Sequence, residues 1–493
     1  MATGSIAPVS ADGTFSLSDY GSMASLSGPV AELRREAEQY RERLDGRRVL
    51  MLNSTARGGG VAEMMPRLVS ILTELGVRTE WWTMNTDEPR FFTLTKRLHN
   101  LIHGSGDPHL DRDDVAVYEA VSDGVAAALR RELGSDDLLV VHDPQPAGAG
   151  ARIARQGTRA VWRCHIGLDE DTAQTDAAWS FLEPHLSAYD HSVFTAPEYI
   201  PSYLSSTVSI IPPALDPFSY KNRELAIHEV VGVLCNAGLS KCPFEMVTPP
   251  FEQQAERLQA DGTWGPATEP EDIAILYRPL VTQISRWDRL KGWRGLLDGF
   301  LHLKRSADKL HNGDPRHSRR LNLVRLVLAG PEPAAVQDDP EAKEVLEELI
   351  GVYRELDPEL QEVVAILSLP MASRKHNALM VNALQRCSSV VVQNSLQEGF
   401  GLTATEAMWK RARVIGTHAC GLRQQIRHGI DGLLVKDPTN AEEVAAALDQ
   451  MLSLSEGRGP MVTSAQRRVY DEFLVFRQVR RWLRVLAEVS EGP

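Results

Sequence analysis

From Ser389 to Trp409 the chain reads SVVVQNSLQEGFGLTATEAMW, and no other string constrains the fold as much. An apolar run, SVVVQNS, has the character of a buried strand, and it passes through a glycine turn into a helix beginning near Leu402. A strand, a tight turn and a helix in that order are the repeating unit of a doubly wound α/β sheet. The same corner stands near the other end of the chain. There Arg48 to Asn53 (RVLMLN) leads into Arg57-Gly58-Gly59-Gly60 and then a helical pattern, AEMMPRLVSILTELG.

Further short apolar runs at 137–142, 160–165, 191–195 and 208–212 extend the first series, while 280–285, 323–330, 363–369, 389–395 and 413–417 form a second. Two Rossmann-like α/β domains facing across a cleft are therefore expected, as the 493-residue length also suggests. The first would span 29–218 and the second 279–464, with 219–278 as linker and insertion arm and 465–493 as a C-terminal helix returning to the first domain. Within the linker, 235–272 is polar, rich in Pro and Gly, and without sustained period, which predicts an insertion or mobile arm. Residues 1–28, rich in Ser, Gly and Ala, predict a disordered tail. The charged run AELRREAEQYRERL predicts a solvated helix.

Composition removes several function classes. The formal charge of −13 leaves no basic excess to neutralise a nucleic-acid backbone. No stretch reaches the roughly 18 consecutive apolar residues of a spanning helix. Five scattered cysteines fit reduced thiols in the cytoplasm better than a disulfide framework. The pairs Asp111/Asp113 and Asp169/Asp171 match an acidic D-x-D pattern but arise easily among 66 carboxylates, so no metal is assigned. There is no G-x-S-x-G elbow and no G-x-x-x-x-G-K-[ST] loop.

The chemistry concentrates in Glu398-Gly-Phe-Gly-Leu-Thr-Ala-Thr-Glu406. Free backbone N–H groups and the positive helix end favour a phosphate there, with Glu398 and Glu406 placed to accept hydroxyl hydrogen bonds, as from a sugar and a ribose. Arg286 and Lys291, just after the strand LVTQI, could neutralise a diphosphate leaving group, Arg as a planar fork and Lys as a point charge. Asp143 and His165 end apolar runs of the first domain, where open α/β sheets bind ligands.

On these residues the sequence resembles the retaining glycosyltransferases of the B-type fold, whose hallmark is two glutamates separated by seven residues. It resembles more narrowly the trehalose-forming branch, the glycosyltransferring trehalose synthases and retaining trehalose phosphorylases. The strings that carry this are GGGVAEMM (58–65), FFTLTKRLHN (91–100), VHDPQPAG (141–148), WRCHIGLD (162–169), IPPALDPFSYKNREL (211–225), VNALQRC (381–387) and QNSLQEGFGLTATEAMWK (393–410). The resemblance implies that Arg286 and Lys291 bind the donor diphosphate, Glu398 the transferred sugar and Glu406 the ribose. The N–H groups of Leu402 and Thr403, with Gly399 and Gly401 in the same loop, would cap the phosphate. Asn53, Lys96, Asn100 and Asp143 would line the acceptor side, with His165 at the anomeric carbon and Gly59 allowing close backbone approach to the donor. Ala419-Cys-Gly-Leu-Arg423 departs from the glycine-rich loop usual near the donor sugar.

The implied reaction is metal-independent transfer of glucose from UDP-, ADP- or GDP-glucose, with no cofactor, to a sugar acceptor. Glucose is the expected acceptor and trehalose the product. Domain closure near 217–280 would assemble the site, and a homodimer is allowed. Four rivals stay open: a phosphorylase on the same fold; a transferase of the same fold with a different polyol or sugar-like acceptor; a two-Rossmann epimerase; and a sugar-binding regulator, which should have lost Arg286, Lys291 or Glu398.

Overall fold

The computed structural model describes residues 4–491 apart from 12–15, 57–58, 205–207, 243, 245, 247, 311–313, 333–339 and 455–458. The chain divides into two compact units, residues 1–214 with 475–493, and residues 215–474. The first unit thus takes back the last helix of the chain. The segment expected as linker, 219–278, belongs to the second unit.

The first unit is built on a sheet of β1 (Gly4–Val9), β2 (Arg48–Asn53), β3 (Arg78–Thr86), β4 (Leu138–His142), β5 (Arg159–Arg163), β6 (His191–Phe194) and β7 (Val208–Ile210), in the order β1-β3-β2-β4-β5-β6-β7. All neighbours are parallel except β1 against β3. Val, Leu and Met fill β2 and β4 on both faces, as helices on either side of a parallel sheet demand. The order β3-β2-β4-β5-β6 is the flavodoxin-like form of the doubly wound sheet, with its switch point between β2 and β4.

Three expectations for the two ends of the chain are corrected. The stretch 1–28 is not a disordered tail: among its described residues, β1 pairs six residues with β3, and a Ser16/Asp19 capping box starts the Leu17–Ser22 helix. Leu17, Tyr20 and Leu26 are buried. The segment has few apolar residues but places these three in the core, and it fits a tight edge at Gly4, where a Cβ would come within 2.5 Å of the Val125 nitrogen. The Ser27–Leu44 helix is not simply solvated. Val30, Leu33, Ala37 and Leu44 are buried, and Arg480 of the Val475–Glu491 helix pairs with Glu36 and, at 2.8 Å, with Glu32. At the other end of the chain, the single C-terminal helix expected over 465–493 is also corrected, because Pro460–Glu472 and Val475–Glu491 are separate helices lying in different units.

Replacing Tyr20 by Ala should cost about 3–5 kcal/mol, since its ring is buried edge-on against Phe476 (5.2 Å between centroids) with the Arg67 guanidinium over it. Urea unfolding measures this. A change under about 0.5 kcal/mol would return the segment to a tail.

The second unit carries β8 (Glu256–Leu258), β9 (Trp264–Pro266), β10 (Leu280–Ile284), β11 (Arg325–Pro331), β12 (Val364–Leu369), β13 (Val390–Val392), β14 (Arg413–Thr417) and β15 (Leu433–Val435). Their order is β15-β14-β13-β10-β11-β12-β8-β9. Counting from β10 this is the 3-2-1-4-5-6 order of a dinucleotide-type Rossmann sheet, with the switch point between β10 and β13. The expected mobile arm is instead, in part, an antiparallel hairpin, β8-β9, added to the edge of β12. Ala255, Leu258, Ala267, Ile273 and Ile275 bury apolar surface there, enough to order a stretch whose sequence has no period. No helix among the described residues is long and apolar enough to cross a membrane.

Candidate functional site

In an open α/β sheet the helices on the two sides of a switch point diverge, leaving a crevice at the carboxyl ends of the strands. In the second unit those strands are β10 and β13, and they deliver the two halves of the predicted donor site. After β10 the chain turns through Arg286 to Gly292. Trp287 is fully buried, bonds the Pro331 carbonyl through Nε1 (2.7 Å) and packs on Trp293 (4.8 Å), fixing the turn from beneath. Asp288 accepts from the Leu290 N–H at 2.8 Å and pairs with Arg286 at 3.3 Å, so the Arg286 side chain, 64% exposed, is held at the surface.

Lys291 Nζ lies 2.7 Å from Glu398 Oε2, with Ser395 Oγ 3.1 Å from the same oxygen. Residues 107 apart in sequence are thereby brought together. Two buried amides that sequence reasoning missed hold this geometry. Gln283 donates to the Lys291 carbonyl (2.9 Å) and accepts from the Asn394 N–H (2.9 Å), and Asn394 donates to the Gly292 carbonyl (3.0 Å). Gly292 has φ +60, and a Cβ there would lie 2.0 Å from the Asn394 oxygen. The only sequence signal for the amides was polar residues ending apolar runs.

The Leu402–Trp409 helix begins after Gly401, whose φ of +85 makes the turn. Its first-turn N–H groups, those of Leu402 and Thr403, have no intrahelical acceptor, the arrangement from which an anion-binding end is expected. Gly399 lies in the same turn. Gln425 donates to the carbonyls of Phe400, Gly401 (3.3 Å) and Gly421 (3.0 Å), so the loop's acceptors are satisfied from below and its shape is fixed. The departing string 419–423 packs here too: the Gly421 N–H donates to the Glu398 carbonyl at 2.9 Å.

Glu406 is one turn into the helix and buried, with Lys221 Nζ 3.6 Å away. Behind it Lys410 is held by Asn222 (3.1 Å), Gln385 (2.6 Å) and the Glu406 carbonyl (3.3 Å). Burial pushes the Lys410 ammonium down to about 7, only partly opposed by Glu406. Neither Lys221 nor Lys410 was singled out from sequence.

In the first unit the carboxyl ends of β2, β4 and β5 carry Asn53, Asp143 and His165. Asp143 has φ 65, a conformation uncommon outside glycine that places its carboxylate at the strand end. Its Oδ1 accepts from the His165 N–H (2.8 Å), and its own N–H donates to the Arg163 carbonyl (2.8 Å). Burial raises its carboxyl to about 6, against the opposing His165 hydrogen bond and the Arg163 charge. His165 is held well below its ordinary value by burial, then by Arg163 and His142. Asn53 is 3% exposed, and its amide is engaged by Trp81 (2.8 Å) and by the Thr55 carbonyl (2.7 Å).

Gly59 opens the Gly59–Glu74 helix, while Arg57 and Gly58 lie outside the described residues. Lys96 and Asn100 are exposed, one turn apart on the Pro89–Ile102 helix. Asp111, half of one D-x-D pair, caps the Arg112–Glu132 helix by accepting from the Asp114 N–H (2.9 Å). No cluster of three or more His, Cys, Asp or Glu fit for a metal occurs among the described residues.

Two Rossmann-type sheets, with charged and polar groups at their switch points, are the design of a B-type-fold glycosyltransferase, and the comparisons with known proteins agree. Residues 51–201 match the family "Trehalose synthase, N-terminal domain", and 369–468 match "Glycosyl transferases group 1". A trehalose synthase of Pyrococcus horikoshii is 31% identical over 95% of both chains. A trehalose phosphorylase of Pleurotus pulmonarius is 24% identical over 89% of this chain and 57% of its own. In fold, the chain is similar to an alpha,alpha-trehalose-phosphate synthase (UDP-forming) from Burkholderia xenovorans in complex with glucose-6-phosphate, with TM-score 0.54 and 16% identity, covering 91% of this chain and 100% of that one. The chain is a glycosyltransferase. It belongs to the trehalose synthase family.

Proposed function

We propose that this enzyme transfers glucose, with retention and without a metal, from a nucleoside diphosphate glucose to free glucose, giving trehalose. The observation that carries the reading is the Lys291–Glu398 pair at the β10/β13 switch point, beside the open N-terminus of the Leu402–Trp409 helix. In this reading Lys291, Arg286 and the N–H groups of Leu402 and Thr403 take the diphosphate, supplying the positive charge that a metal supplies elsewhere. Glu398 accepts hydroxyls of the transferred sugar. Glu406 accepts those of the ribose, held by Lys221.

In this reading the first unit supplies the acceptor groups, Asp143 and His165 together with Asn53, Gly59, Lys96 and Asn100. At neutral pH the Asp143 carboxyl, raised only to about 6, is mostly ionised and accepts hydroxyl hydrogen bonds from a polyol, while the neutral His165 imidazole adds no second charge. The leaving phosphate oxygen takes the acceptor proton on the face where the new bond forms. No protein carboxylate attacks carbon, and the residues act by positioning and charge stabilisation.

The match to a trehalose phosphorylase favours one second reading, in which phosphate and glucose 1-phosphate replace the nucleotide. Turnover of UDP-, ADP- and GDP-glucose with glucose in excess EDTA separates the two. The proposal expects nucleoside diphosphate release from at least one donor at an unchanged rate with chelator. Release that needs added magnesium, or trehalose cleavage by phosphate with no nucleotide-dependent reaction, overturns it.

A further inference from the structure

His142 ends β4 with no exposed surface, yet its Nδ1 lies 2.9 Å from Nε2 of His165, and the two rings stack with centroids 5.3 Å apart and planes at 12°. Burial, reinforced by Arg163, holds both rings neutral: His142 falls to about 3. One proton therefore lies between them. Either His142 donates from Nδ1, or His165 donates from Nε2.

The far side of His142 decides between these. Its Nε2 is buried and has no partner among the described residues; Trp482, at 6.2 Å and tilted 45°, is the aromatic neighbour. Arg163 is the register partner of His142 on β5, is also buried, and its Nη1 likewise has no acceptor among the described residues. A proton on His142 Nε2 would be a second buried donor without an acceptor, in the field of the Arg163 charge. A bare Nε2 avoids that and leaves a lone pair in the same positive field, which is the cheaper arrangement.

We propose that His142 is a positioning residue: it keeps its proton on Nδ1, donates it to His165 Nε2, and so fixes His165 with its proton on Nδ1. Which nitrogen of a histidine is protonated follows from the hydrogen bond made by the other. His165 then presents an N–H, a donor for a substrate oxygen, and its basic lone pair is consumed inside the protein. The proposal rests on the reading that His165 stands at the reacting centre, and it changes what His165 does there: it binds an oxygen and removes no proton.

Two measurements test this separately. Nitrogen-15 NMR of the labelled full-length protein reads the tautomers directly, and the proposal expects His165 protonated on Nδ1 and His142 on Nδ1. His165 protonated on Nε2 overturns it. In kinetics, His142→Asn keeps a donor near the Nδ1 position and His142→Phe keeps only a ring. The Phe variant should lose about 10²-fold in kcat with little change in donor KM, with a mixed His165 tautomer, and the Asn variant should recover most of that loss. Equal losses in the two variants would make His142 a packing residue only. His165→Ala guards the underlying placement: full activity there removes both histidines from the reaction, even with the tautomers as inferred.

Discussion

Lys291→Ala is expected to lower kcat/KM for the nucleotide-sugar by about 10²–10³-fold, some 3–4 kcal/mol of lost transition-state stabilisation. The ammonium contacts Glu398 at 2.7 Å and is only 14% exposed, so its charge is weakly screened by water where the diphosphate would develop its extra negative charge. Most of the loss should fall in kcat, because the leaving group's charge grows towards the transition state. Arg286, 64% exposed and partnered by Asp288, should matter less when replaced by Ala, by about tenfold. Steady-state kinetics of both variants, with melting curves to verify folding, give the comparison. A loss below tenfold for Lys291→Ala would remove that residue from the leaving group.

The second large effect is expected from Gly421→Val. A Cβ at Gly421 would lie 2.4 Å from the Phe400 Cα, 2.5 Å from its nitrogen and 2.7 Å from the Glu398 oxygen. All three are backbone atoms, so the strain cannot be relieved by turning a side chain, and the Glu398–Gly401 loop must move. A shift of about 1 Å in a positioning loop costs on the order of 10²-fold. Donor binding should weaken by at least that factor while the fold persists, its stability reduced by about 1–3 kcal/mol. Gly351→Ala is the control, since a Cβ there meets nothing within 4 Å, and it should be neutral or slightly stabilising. Calorimetric titration with the nucleoside diphosphate reads both. Unchanged affinity in Gly421→Val would mean that the departing 419–423 string does not shape the donor loop.

How legible the molecule was depended on whether a segment's neighbours lie close in sequence. Strand, glycine and helix at 48–74 and 389–409 are local, and their hydrophobic patterns marked them. β3 escaped because RTEWWTMNT mixes polar and aromatic residues in a strand buried mainly through its two tryptophans. β1 and the β8-β9 hairpin escaped because each is stabilised by a sheet edge far away in the chain, which no local pattern records. At the site the charged partners Lys291, Glu398 and Glu406 stood out by type and position. Gln283, Asn394 and Gln425 did not, because an amide that fixes a loop looks in sequence like any polar residue near the end of a strand or helix. Nor could a sequence reveal that His142 stacks on His165, since that contact exists only once β4 and β5 pair.

Proton NMR of the purified product tests the central claim most directly, after the enzyme is given glucose and the nucleoside diphosphate glucose it turns over. The account predicts a single non-reducing disaccharide with both anomeric centres α, hence the donor configuration kept. A β linkage would contradict retention, and a reducing disaccharide, or no disaccharide from any of the three donors, would contradict glucose as the acceptor and trehalose as the product.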